Sequence, residues 1–105
     1  MLPAGAFDIP AKPAARVNDY AGALDPASKA AIEGKLAEFE RESSNQVVVV
    51  VVPSLDGQAI EDVAVRVVET WGLGRKDKNN GVLLLVSMAD RRARIEVGYG
   101  LEDRL

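Results

Sequence analysis

Asn79-Asn80-Gly81-Val82-Leu83-Leu84-Leu85-Val86 is a polar turn that runs straight into a strand with no polar residue. A strand apolar at consecutive positions belongs in the interior of a sheet covered on both faces. The preceding loop, 72–81, then opens at one edge of that sheet, where a ligand can reach it.

Working outward, the nearest comparable block is 47–52, six valines in a row, a β-branched run that resists helix and fits a buried central strand. Pro53 stops it, and Ser54-Leu55-Asp56-Gly57 turns the chain into a helix expected over about 59–71. Ile60, Val63, Ala64, Val67, Val68 and Trp71 form its apolar face. Strand, helix and strand make a βαβ unit with parallel strands and a right-handed crossover. After the short connection Met88-Ala89-Asp90-Arg91, residues 92–98 alternate Arg92, Arg94 and Glu96 with Ala93, Ile95 and Val97, the pattern of an antiparallel hairpin partner with one wet face.

Upstream, residues 1–15 are rich in Pro and Ala without a period and read as an extended arm, followed by a single domain over 16–105. A short strand and turn are expected within 16–22. Asp25 and Pro26 supply an N-cap and a first helical residue, so a helix should run over 26–43. Ile32, Leu36 and Phe39 define its buried stripe, with Glu33, Lys35, Glu38, Glu40 and Arg41 facing water, and Asn45 is expected to take the left-handed stop. The fold class is therefore α/β: a mixed sheet containing a βαβ crossover and an antiparallel hairpin, sandwiched by helices.

With 105 residues the chain holds one core, burying roughly 65% of the unfolded surface. Thirteen basic and sixteen acidic residues leave a net charge of −3, which gives no general attraction to nucleic acid. Without Cys or His, thiol nucleophiles, imidazole bases and the usual zinc sites are excluded from this chain, leaving carboxylate, hydroxyl, Lys and Arg chemistry, with or without a hard oxygen-seeking ion. No apolar run approaches the roughly 20 residues of a membrane span, and the N-terminus lacks the basic region and apolar block of a signal peptide.

The topology brings two loops together. The second helix ends at the edge where the strand from Val82 starts, and the antiparallel strand finishes there too. Segments 72–81 and 98–103 should lie side by side, offering oxygens from Asp77, Asn79, Asn80, Glu102 and Asp103, a candidate site for Ca²⁺ or Mg²⁺. Asp19, Ser54 and Asp56 fall at the opposite edge, which makes Asp19 and Asp56 weaker candidates. The same loop also suits a solvated turn centred on Asn80-Gly81. It is no EF-hand, because the twelve-residue pattern begun at Asp77 would need Gly and Glu where the chain has Val82 and Met88. Nor is Gly72-Leu73-Gly74 a phosphate loop, since it follows a helix and opens a strand instead of the reverse. Arg91, Arg92 and Arg94 form a basic group on the hairpin, read either as a solvated strand face or as an anion or partner patch.

Taken together, Asn18-Asp19-Tyr20-Ala21-Gly22, the valine strand, Ser54-Leu55-Asp56-Gly57, Ile60-Glu61-Asp62, Trp71-Gly72-Leu73-Gly74, Asn80-Gly81-Val82-Leu83-Leu84-Leu85 and Gly98-Tyr99-Gly100-Leu101-Glu102 resemble the TPM domain. That family occurs in thylakoid-lumen proteins and in secreted or membrane-anchored bacterial proteins of the YgcG type. The resemblance implies an α/β sandwich, an extracytoplasmic location, a phosphatase-like label, divalent-ion binding at acidic loops and an envelope or membrane protein partner. Asn79-Asn80 replaces a position where the family often has Asp, and family domains usually continue past Gly-Leu-Glu into further helices. A chain ending at Leu105 would then expose a sheet face and favour self-association. Two functions follow: a non-catalytic envelope module binding an ion or partner through the paired loops, or a hydrolase of phosphomonoesters in which Asp77, Glu102 and Asp103 hold the ion and a metal-bound water attacks.

Overall fold

Six consecutive valines build the middle of the sheet. The computed structural model describes residues 9–73 and 80–98, and its elements are β1 (Val17–Asp19), α1 (Pro26–Ser43), β2 (Asn45–Val52), α2 (Ile60–Trp71), β3 (Asn80–Ser87) and β4 (Arg92–Val97). The strands lie in the order β1-β2-β3-β4. The first three are parallel and β4 is antiparallel to β3, so the βαβ unit and the hairpin share one mixed sheet. The sheet has a carboxyl edge, where β2 and β3 end, and an amino edge, where they begin.

Alternate valines of β2 face the main core. Val48, Val50 and Val52 meet Leu83 and Leu85 of β3 and the α2 stripe Ile60, Val63, Ala64 and Val67, with Leu55 and Leu73 closing the ends. Full burial of each such side chain contributes about 1.5–3 kcal/mol. Gly72 ends α2 in the left-handed conformation, its N–H and that of Leu73 returning to the carbonyls of Glu69 and Val68. Leu73, 1% exposed, seals that cap from the core side.

Coverage of β3 on its two faces is unequal. Leu83 and Leu85 are fully buried on the α2 side, whereas Val82, Leu84 and Val86 on the other side are half-buried. Their register partners on β4, Val97, Ile95 and Ala93, share that more open face, and Ile95 is 64% exposed. The reason is placement: α1 lies against β1 and β2 and α2 against β3 and β4, so among the described residues no helix closes the outer face of the hairpin.

Helix α1 differs most from its sequence pattern. Its start is as expected, with Asp25 Oδ1 accepting from the Ser28 N–H at 2.7 Å and Pro26 in the first turn. However, none of its residues is buried and Phe39 is 45% exposed, so the expected apolar stripe does not form a core face. Glu33 and Glu40 turn inward instead of to water. Glu33 accepts from the backbone N–H groups of Arg16 and Val17, and both carboxylates grip the Arg16 guanidinium, at 3.3 and 3.0 Å. An arginine entering β1 thus selects which helix face points in. The left-handed stop falls on Ser44 (φ 63°), one residue before the expected Asn45, because Asn45 already pairs with Asn80 as the first residue of β2.

The arm crosses the molecule at its described end. Ile9 packs against the core and the Pro10 carbonyl accepts from Trp71 Nε1 at 2.7 Å, which satisfies the indole and leaves Trp71 half-buried.

Candidate functional site

At the amino edge, the two segments expected to meet do so where they are described. The Gly98 N–H donates to the Gly81 carbonyl at 2.6 Å. A Cβ on Gly98 would overlap the Leu73 carbonyl oxygen and lie 3.0 Å from that of Gly81. Only glycine permits three backbone segments to converge this closely. The end of α2, the start of β3 and the exit of β4 therefore issue from one point, and the loop 74–79 and the segment 99–105 are tethered there. Of the predicted ion ligands, Asp77, Asn79, Glu102 and Asp103 lie outside the described residues, as does Tyr99, and Asn80 is described as the first residue of β3.

The opposite edge carries Asp19 and Asp56, as the topology anticipates. Asp19 ends β1 and turns both oxygens into the β1–α1 loop: Oδ1 accepts from the N–H groups of Ala21 and Ala23 at 3.2 and 3.1 Å, and Oδ2 from that of Leu24 at 2.7 Å. Partial desolvation pushes its pKa up, but these donors outweigh that and hold it below the ordinary aspartate value. Asp56 adopts the left-handed conformation (φ 54°) in the turn before α2, and its N–H donates to Ser54 Oγ at 3.0 Å.

Asp90, which sequence reasoning left as part of a connection, joins the same edge. Its Oδ2 accepts from the Leu55 N–H at 2.8 Å and from Ser87 Oγ at 2.7 Å, tying the β3–β4 turn to the chain leaving β2. The Leu55 amide first, then the Ser87 hydroxyl and the nearby Arg92 charge, lower its pKa. The parallel ladder also continues past the strands, Met88 and Ala89 donating to the carbonyls of Val52 and Pro53. The signal available in sequence was an Asp within a four-residue hairpin connection, a position that favours side-chain-to-backbone bonding. Among the described residues, no three acidic side chains converge as a metal-binding group.

The basic hairpin residues frame a cleft. Arg91, Arg92, Ala93, Arg94 and Ile95 line one wall and Ile60 and Glu61, at the start of α2, the other, around about 550 Å³. Arg94 Nε is paired with Glu96 at 2.9 Å. Arg91 holds a left-handed backbone (φ 53°) at the end of the turn. The start of α2 has no side-chain cap, since Ala59 occupies the N-cap position.

Comparison with known proteins adds two findings. A family model described as the TPM domain matches residues 17–105. The solution NMR structure of the N-terminal domain of a protein from P. gingivalis superposes with a TM-score of 0.74 at 31% identity, covering 84% of this chain and 56% of that one. The chain thus spans little more than half the length of that solved domain. No curated protein matches it.

Proposed function

Because this chain belongs to the TPM domain family, we propose that it serves as a non-catalytic, extracytoplasmic module that binds a divalent ion, Ca²⁺ or Mg²⁺, and through it a protein partner of the envelope. The binding surface is the amino edge formed by 72–81 and 98–103, with Asp77, Asn79, Asn80, Glu102 and Asp103 as the oxygen donors. One observation supports this reading: the convergence of Leu73, Gly81 and Gly98 brings the described ends of both segments to a single point of the fold. A hard cation requires several oxygen ligands, which two neighbouring segments can supply together, and tethered segments lose less conformational entropy on binding than free ones. A location outside the cytoplasm agrees with the family resemblance. No helix among the described residues is long and apolar enough to cross a membrane.

Titration of the full chain with Ca²⁺ and with Mg²⁺, followed by amide NMR, tests the proposal, with phosphomonoester hydrolysis assayed on the same sample. The expected result is saturable shifts confined to 72–81 and 98–103, with no turnover. The absence of shifts overturns the ion site. Metal-dependent turnover that disappears in Glu102→Ala overturns the non-catalytic reading in favour of a hydrolase.

A further inference from the structure

The carboxyl edge of the sheet presents a second site of opposite sign. Among the described residues, Arg91, Arg92 and Arg94 line the cleft against one carboxylate, Glu61, on a chain whose net charge is −3. Among the described residues, Arg16 is clamped by two glutamates and Arg94, in the cleft itself, is paired with Glu96. Arg91 and Arg92 have no carboxylate within ion-pair distance among the described residues. Asp90, the nearest carboxylate on their own turn, is held by Leu55 and Ser87.

The backbone adds to the positive field. With Ala59 at the N-cap, no side chain caps α2, and among the described residues the N–H groups of Ile60 and Glu61 have no acceptor. Both residues line the cleft, so the positive end of the helix dipole opens there. Arg91 itself stands at a left-handed backbone position, where glycine is ordinarily preferred.

We propose that the cleft between Arg91, Arg92 and Arg94 of the hairpin and the first turn of α2 binds a small phosphate-bearing anion. Each guanidinium offers five N–H donors in a rigid fork. Two forks with no ion pair among the described residues, supplemented by backbone amides, present more donors than the two oxygens of a carboxylate can accept. A phosphate group carries additional oxygens and a second negative charge. Arg94, already paired, contributes field more than contact, and Glu61 opposes the ligand and limits its affinity. The site stands at the other end of the sheet from the proposed cation site and depends on no residue of it.

The test is titration of the full chain with inorganic phosphate and, separately, glycerol 3-phosphate, without divalent cations, against sodium chloride at matched ionic strength. Backbone amides and arginine Nε–H signals are followed by NMR. Saturable shifts at Ile60, Glu61, Arg91 and Arg92 with phosphate but not chloride are expected, and the tighter of the two ligands tells whether free phosphate or a phosphomonoester is the natural class. Arg92→Ala should weaken binding by about tenfold. Glu61→Gln should tighten it by about threefold. Arg91→Gly should weaken binding while raising Tm, because glycine relieves the left-handed backbone; simple loss of structure would lower both. Equal shifts with chloride, or undiminished binding by a folded Arg91→Gly/Arg92→Ala double variant, overturn the proposal.

Discussion

The two edges of the sheet are closed by different means. At the carboxyl edge, side chains do the work: Asp19, Asp25 and Asp90 each turn a carboxylate onto backbone N–H groups of a neighbouring loop or helix start. At the amino edge, the main chain closes on itself, through Gly72 in the left-handed cap and Gly98 against Leu73 and Gly81. A carboxylate in hydrogen bonds to its own loops stabilises those loops.

The largest effect should come from the backbone-closed edge. In Gly98→Ala the added methyl group meets the Leu73 and Gly81 carbonyls, which belong to a helix cap and a strand and cannot swing aside as a side chain would. We expect a loss of about 3 kcal/mol, the upper end of the usual cost of overpacking, measured by urea denaturation. An unchanged midpoint would show that the amino edge is looser than the carboxyl edge, and would remove the common anchor from the proposed cation site.

Much of this architecture was legible in the sequence. The valine run, the α2 stripe and the alternation of β4 announced their elements because each period repeats often enough to outweigh local noise. The approach of Gly98 to Leu73 and Gly81 followed from strand direction alone. What escaped was set by distant partners. Glu33 and Glu40 read as solvent-facing because nothing nearby reveals that Arg16, 17 and 24 residues away, will draw them inward. The turn position of Asp90 signals a side-chain-to-backbone bond, but nothing near it points to Leu55, 35 residues back, as the partner. The stop at Ser44 was decided by the pairing of Asn45 with Asn80, a tertiary demand that overrode the asparagine's preference for left-handed backbone. The candidate ion ligands Asp77, Asn79, Glu102 and Asp103 fall outside the described residues, so there the sequence still says more than the structure.

A somewhat smaller loss is expected at the side-chain-closed edge. Asp19→Ala removes the acceptor for three N–H groups of the β1–α1 loop. Since Asp19 is only half-buried, water replaces part of what is lost, and about 1.5 kcal/mol is expected. Hydrogen exchange should show the loss concentrated at Ala21, Ala23 and Leu24. Asp19→Asn, which keeps an acceptor oxygen, should recover part of it. An Asp19→Ala variant as destabilised as Gly98→Ala would mean that the two edges do not differ in the way argued above.

The smallest and most selective effect is on the response to acid. The folded-state pKa values of Asp19, Asp25, Glu33 and Asp90 are all depressed: for Asp25 and Asp90 hydrogen bonds are the largest influence, while for Asp19 and Glu33 they overcome an opposing desolvation. A depressed folded pKa means that the unfolded chain takes up protons first as pH falls. Stability contributed by these groups is therefore present at neutral pH and is lost from about pH 5 downward, through the folded pKa values. Because three of the four carboxylates close the carboxyl edge, that edge should loosen first. Amide exchange at Leu24, Ser28 and Leu55 should accelerate on acidification, relative to the intrinsic rate at each pH, before exchange at Gly98, whose bond to Gly81 involves no titrating group. In Asp19→Asn the acid sensitivity at Leu24 should flatten while that at Leu55, governed by Asp90, stays. Simultaneous opening of Gly98 and Leu24 would show instead that acid unfolds the sheet as one unit, with no separate melting of its side-chain-closed edge.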